Sequence, residues 1–196
     1  MPKVPATRGA FGATMKLVMK KIPTIKGIFV MSHVRALEDV KGEAGISELV
    51  LRMGKRVRYR ANDDVPVREE IALIEHVLDI LSDKPVAAHA REFEAGKLHF
   101  KNFSETPFGS VVLRMFEFKK ALLRAPWIAE RVFRGIEFSS ETLGENTARV
   151  TMKNNDYALD HFKGFFQAWL EYADLRGVIV AEDMGDGTYV YVAQWD

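Results

Sequence analysis

"RGIEFSSETLGENTARVTMKN", residues 134–154, decides the fold. Apolar and polar residues alternate on both sides of "LGEN", the pattern of two half-buried strands joined by a short turn. The spacing predicts a β-hairpin of Gly135–Glu141 with Ala148–Lys153. The next stretch, "NNDYALDHFKGFFQAW" (154–169), changes period. Asn155 or Asp156 reads as a cap. Ala158, Phe162, Phe165, Trp169 and Tyr172 then form one helical stripe, with Leu159, Phe166 and Leu170 on a second flank. A helix over 157–176, stopped by Gly177, is expected, and covering both flanks requires partners on two sides. "GVIVAEDMGDGTYVYVAQWD" (177–196) reads as a second hairpin turning at "MGDG".

Upstream the pattern is helical. "KGIFVMSHVRALEDVKG" suggests an extended piece and then a turn of helix capped by Ser32. "GISELVLRMG" suggests a short helix stopped by Gly54. "KRVRYRAN" alternates as a strand or extended loop would. "DDVPVREEIALIEHVLDILS" is a helix with Glu69 and Glu70 in its first turn. "VAAHAREFEAG" reads as a helix ended by Gly96, and "SETPFGSVVLRMFEFKKALLRAP" as one that starts at Thr106-Pro107 and runs to Pro126. "PWIAERVF" adds one or two turns. The fold class expected is α+β: a helical N-terminal two-thirds, then a β-β-α-β-β unit forming an antiparallel sheet packed on helices. Two parts are expected: a basic N-terminal arm, 1–27, with a short amphipathic helix over 11–22, and a single α+β domain, 28–196. Lys3, Arg8, Lys16, Lys20, Lys21, Lys26 and Arg35 all precede the first acid, Glu38. The arm suits packing on its own domain, or contact with a membrane surface or partner.

The 196 residues are 47% hydrophobic and 28% charged, the profile of a soluble globular chain. With 28 basic and 27 acidic residues the net charge is +1, which argues against a dedicated nucleic-acid binder. Absence of cysteine excludes disulfides and thiolate chemistry and is compatible with a cytoplasmic location. No apolar run is long enough to span a bilayer.

Catalytic motifs are absent. No Gly-x-Ser-x-Gly, P-loop or dinucleotide fingerprint occurs. The five histidines (His33, His76, His89, His99, His161) show no metal-binding spacing, and each reads as structural or exposed. "NDD" (62–64) and "DMGDG" (183–187) suit a helix cap and a hairpin turn better than a cation loop. The Arg56, Arg58, Arg60 row reads as a solvated edge or an anion contact. Aromatic and Met residues at Phe103, Phe108, Met115, Phe116 and Phe118 face the ring-rich 157–176 helix in the expected layout. They either fill a core or enclose an apolar pocket.

Thr106, Gly109, the Phe133-Arg134-Gly135 hairpin start, and Tyr191 with Trp195 carry a resemblance. Over residues 28–196 the chain resembles an uncharacterised family of about 200 residues found in myxobacteria and their relatives. The layout is also similar to the superfamily of haem-nitric-oxide-binding, vinyl-reductase-type and TRAPP small-subunit domains. That resemblance implies an apolar ligand or a helix-mediated dimer. It departs in two places: the haem domain's tyrosine-serine-arginine clamp is absent, "YRAND" (59–63) not supplying it, and so is the acylated cysteine of the TRAPP subunits.

The expected function is a non-enzymatic binding or sensory module for an apolar molecule such as a fatty acid or aromatic. Its lining would be Phe108, Met115, Phe116, Phe162, Phe166 and Trp169, with Arg58 for an acidic head group; no metal or cofactor is required. The alternative is a homodimeric scaffold or adaptor without ligand, with room for a further protein partner. A third reading is a haem-based gas sensor using His161 or His99.

Overall fold

The structure is a computed structural model and describes residues 21–196. The helix expected over 11–22 lies outside the described residues, except for Lys21 and Ile22, which are irregular backbone before Pro23. Strand β1 (Thr24–Lys26) leads directly into α1 (Gly27–Met53). Helix α1 is broken at Gly42, whose φ of 60° and ψ of −154° only glycine adopts readily. It ends as expected at Gly54 in the left-handed conformation. Ser32 caps nothing: its hydroxyl donates back to the Phe29 carbonyl (2.6 Å) inside the helix.

Residues 55–63 are a loop closed by the Arg60 N–H donating to Asp63 Oδ2 (2.7 Å). Strand β2 (Asp64–Pro66) then pairs with β1, placing Val65 opposite Ile25. Helix α2 (Val67–Leu81) and a 3-10 turn (Ala88–Ala90) precede α3 (Arg91–Glu105). Thr106 caps α4 (Pro107–Met115), its hydroxyl accepting from the Gly109 N–H (3.0 Å). The single helix expected to run on to Pro126 is instead three. Extended backbone at Phe116 and Glu117 separates α4 from α5 (Phe118–Leu123), and Arg124 separates that from α6 (Ala125–Val132). The break turns Phe118 inward, edge-on to Trp169 and Trp195 at 5.9 and 5.3 Å between centroids. Strand β3 (Phe133–Arg134) returns to β1 and completes a small β2-β1-β3 sheet.

Both hairpins form. β4 (Glu137–Gly144) pairs with β5 (Thr147–Lys153), Phe138 opposite Met152. Helix α7 (Leu159–Tyr172) intervenes before β6 (Gly177–Asp183) and β7 (Tyr189–Trp195). The sheet order is β4-β5-β7-β6, all neighbours antiparallel. α7 is shorter than expected. The Asn155 side chain accepts from the Tyr157 N–H (3.1 Å) in a turn ahead of it, and Gly177 opens β6 rather than ending the helix.

As the two flanks required, α7 is covered on both sides. Phe166 meets Tyr191 of the sheet at 5.4 Å, and Trp169 stacks on Phe100 of α3 at 5.9 Å. Gly96 does not stop α3; it lies within the helix at the crossing with α7. A Cβ there would fall 1.8 Å from the His161 carbonyl oxygen, and one at Gly164 would fall 2.0 Å from the Phe93 carbonyl oxygen. Both obstacles are main chain, so the helices themselves would have to separate. Gly→Ala inside a helix ordinarily gains about 1 kcal/mol. Here Gly96→Ala or Gly164→Ala is expected instead to cost about 3 kcal/mol through overpacking, measured by guanidinium denaturation. A neutral or stabilising result at either position would contradict this crossing.

Candidate functional site

Around that crossing the interior is polar. His33 comes from α1, Glu70 from the first turn of α2, His99 and Asn102 from α3, Tyr157 from the turn ahead of α7, and His161 from the first turn of α7. None is more than 3% exposed. His33 Nε2 lies 2.9 Å from Glu70 Oε1, and its Nδ1 lies 2.8 Å from the Asn102 amide nitrogen. His99 Nδ1 is 3.7 Å from the same Glu70 oxygen and 2.9 Å from His161 Nε2. The chain of contacts therefore runs Asn102, His33, Glu70, His99, His161 and links four helices. Three buried atoms of the cluster have no hydrogen-bond partner among the described residues: Glu70 Oε2, Asn102 Oδ1 and the Tyr157 hydroxyl. His33, Glu70 and His99 each offer a ligand atom, all within 4.8 Å of one another.

Burial governs the charges. It pushes His99 down to about 3 and His161 down to about 4, so both imidazoles are neutral at neutral pH. Burial also acts to raise the Glu70 carboxyl, but the imidazoles of His99 and His161, which take up protons first as pH falls, and the hydrogen bond accepted from His33 outweigh it and hold Glu70 below the usual carboxylate range. Burial and the adjacent Glu70 carboxylate raise Tyr157, which stays protonated.

Beside the cluster is an apolar cavity of about 40 Å³. His99 forms part of its wall; the rest comes from α6 (Ala125, Ile128, Ala129, Val132), from Phe103, Phe133 and Phe138, and from the rings of α7. Of the residues named from the sequence, Phe162, Phe166 and Trp169 line it. Phe108, Met115, Phe116 and Arg58 do not. Phe108 packs against Phe29 and Trp127, Met115 is 66% exposed, and Phe116 borders a separate surface groove with Trp195. Arg58 projects from the exposed 55–63 loop. The reason is the break after α4: the chain turns there, and α6 supplies the wall that one continuous helix was expected to supply.

The polar cluster itself escaped sequence reading. Its signal was a charged residue inside an apolar stripe: Glu70 stands in register with Val67, Leu73, Ile74 and Val77, all fully or nearly fully buried. His33, between Val30, Val34 and Leu37, repeats the pattern on α1.

Residues 23–196 match a family described as "Protein of unknown function (DUF2378)". The chain belongs to the DUF2378 family. No curated protein matches it. Among solved structures, this DUF2378 chain is similar to an oxygen-binding H-NOX domain related to soluble guanylate cyclases. Identity is 13%, TM-score 0.65, with 87% of this chain and 95% of that chain covered. It is similar to an Fe(II) unliganded H-NOX protein from K. algicida at 14% identity and TM-score 0.62, covering 87% and 96%. A third, from work on haem redox potential and porphyrin distortion, gives 14% identity and TM-score 0.63, covering 87% and 99%. At these identities the likeness establishes the fold, and the resemblance read from the sequence to the haem-nitric-oxide-binding superfamily is borne out at that level.

The charge balance gives the cluster a pH signature. Unfolded histidines bind protons below about pH 6.5, whereas folded His99 and His161 resist them until about 3 and about 4. In that window the unfolded chain holds more protons, so stability falls as pH falls. Glu70, depressed in the fold, adds to the loss at lower pH. Between pH 7 and 5, with a chelator present, unfolding should take up an additional one to two protons, approximately, and Tm should fall steadily. A Tm flat across that range would show that the imidazoles are not held neutral.

Proposed function

We propose that this chain is a non-enzymatic sensory module that admits a small apolar molecule, of the size of a diatomic gas, to the cavity beside His99. Its presence is read through the buried polar network. The observation that carries the proposal is the double placement of His99, which is at once a wall of the cavity and a member of the network. A molecule against its ring changes the packing of the one side chain that connects α3 to Glu70 of α2 and to His161 of α7. Fold likeness to an oxygen-binding H-NOX domain supports the sensory part of the reading. The non-enzymatic part rests on access and chemistry: the titratable cluster is buried, and among the described residues the cavity wall carries no hydroxyl, thiol, amine or carboxylate side chain, His99 being its one polar group.

The cavity sets the ligand's size. One water requires about 10–15 Å³ of such space, so about 40 Å³ suits a few atoms rather than a fatty acid. A pocket for a drug-sized or cofactor ligand runs to about 300–1,000 Å³. The residues present therefore do not fit a haem. Six phenylalanine rings and a tryptophan occupy the walls, and among the described residues no cationic or hydroxyl side chain lines the cavity to hold propionates.

Xenon is a suitable probe, since dry apolar cavities take it up. Xenon-129 NMR should show one saturable site, lost in Ala129→Leu and in Phe166→Trp, both of which remain folded. Uptake unchanged by both substitutions would remove the cavity from the proposal. Haem added to the purified chain should give no Soret band; a band abolished by His99→Gln would replace the small-molecule reading with a haem one.

A further inference from the structure

We propose that His33, Glu70, His99 and His161 form a buried site for one divalent first-row transition ion, with zinc the best chemical fit. The donor set is three imidazoles and one carboxylate. Hard cations such as calcium and magnesium prefer six or more oxygens and would find only one acid here. Zinc in closed structural sites takes four nitrogen, oxygen or sulfur ligands in a tetrahedron. Bonds of about 2.0–2.1 Å place neighbouring donors roughly 3.3 Å apart in that geometry. The observed edges are 2.9 Å from His33 to Glu70, 3.7 Å from Glu70 to His99 and 2.9 Å from His99 to His161. The His33, Glu70 and His99 donors lie within 4.8 Å of one another and can close on one ion by ring and carboxylate rotation. His161 meets this group through His99, so its imidazole has to swing inward to become the fourth ligand.

The unpartnered atoms supply independent support. Glu70 Oε2 is buried without a partner among imidazoles that would each be a ligand. Asn102 Oδ1 is also unpartnered while its amide nitrogen faces His33 Nδ1. Which end of an amide carries the oxygen is an assignment that follows the network. With a metal on His33 Nε2, the proton of that ring lies on Nδ1; Asn102 turned over accepts it and loses its orphan. That is the outer-shell arrangement by which metal-bound histidines are oriented. The Tyr157 hydroxyl, the third orphan, adjoins the Glu70 carboxylate and would donate to whichever of its oxygens does not bind the ion.

Because every donor is sealed, the ion enters during folding rather than afterwards. The test is therefore refolding of the full chain from guanidinium and chelator, with and without one equivalent of Co2+ as a spectroscopic substitute. Expected are one Co2+ bound per chain, the strong visible d–d absorption of a four-coordinate site, a raised Tm, and a nitrogen-rich shell with imidazole scattering in X-ray absorption. Glu70→Gln should abolish uptake. Asn102→Ala should weaken it about 10–100-fold. A His76→Asn/His89→Asn double variant, which removes histidines outside the cluster, should retain it. Uptake lost in that double variant, an all-oxygen shell, or no Co2+ or Zn2+ retained by the refolded wild type would each overturn the proposal. X-ray absorption needs no variant, so the test survives a Glu70→Gln chain that does not fold. The inference is independent of the cavity's ligand: xenon uptake and cobalt uptake fail separately.

Discussion

The main chains of α3 and α7 meet without side chains between them, and most of the interior follows from that contact. Gly96 and Gly164 are the two positions where a methyl group would strike the other helix's carbonyl oxygen. Such an approach leaves no space at the crossing for an aliphatic layer. The side chains one turn away are consequently forced together, and these are His99 and His161. Their rings sit where a typical helix pair would hold leucines. Once α7 is held this close to α3, its other face is free to carry Phe162 and Phe166 against the sheet. The cavity is the residual space where this aromatic layer meets α6.

Stability alone does not account for the polar cluster. A carboxylate taken out of water costs several kcal/mol, and a buried ion pair repays that only with full hydrogen bonding. Here the bonding is incomplete, with Glu70 Oε2 and the Tyr157 hydroxyl unpartnered. An apolar set of the same volume would hold the four helices together at lower cost. What directional contacts provide instead is geometry: His33 between Glu70 and Asn102 fixes how α1, α2 and α3 sit relative to one another.

The β-β-α-β-β half was legible because its signals are local. Alternation on either side of "LGEN" and the Gly-Asp-Gly turn each specify a hairpin within about 20 residues, and both formed with the expected pairing. The helical half was harder. Gly96 looks like a stop because the residue itself says only that bulk is absent; whether it ends a helix or admits another is decided by α7, 60 or more residues away. The break at Phe116–Glu117 has no proline or glycine to announce it, and it is the pull of Phe118 toward Trp169 and Trp195 that accompanies it. Three of the seven residues expected to bind ligand, Phe162, Phe166 and Trp169, lie on one helix whose periodicity was clear. Phe108, Met115 and Phe116 depended on a neighbour being continuous, and Arg58 on a loop's direction. Glu70 and His33 each stood out inside an apolar stripe, but their assembly into one cluster was not legible, because its members come from four helices with no shared spacing.

His99 couples the two halves of the site. It touches the cavity with one part of its ring and Glu70 and His161 with Nδ1. If the cluster holds an ion through that nitrogen, the orientation of the ring is fixed by a bond rather than by packing. An apolar molecule in the cavity then meets a rigid wall, and its cost or gain is passed to the metal's coordination instead of being absorbed by a rotamer change. By linkage, whatever the ion does to the affinity of the cavity, the cavity's occupant does equally to the affinity of the ion. Without the ion the ring is held by one hydrogen bond, to a neutral His161, with the Glu70 oxygen 3.7 Å away, and these are softer restraints. The same cavity would then be a weaker lever on the helices. On this argument the buried donors are what gives a cavity of only about 40 Å³ a mechanical connection to α1, α2 and α7.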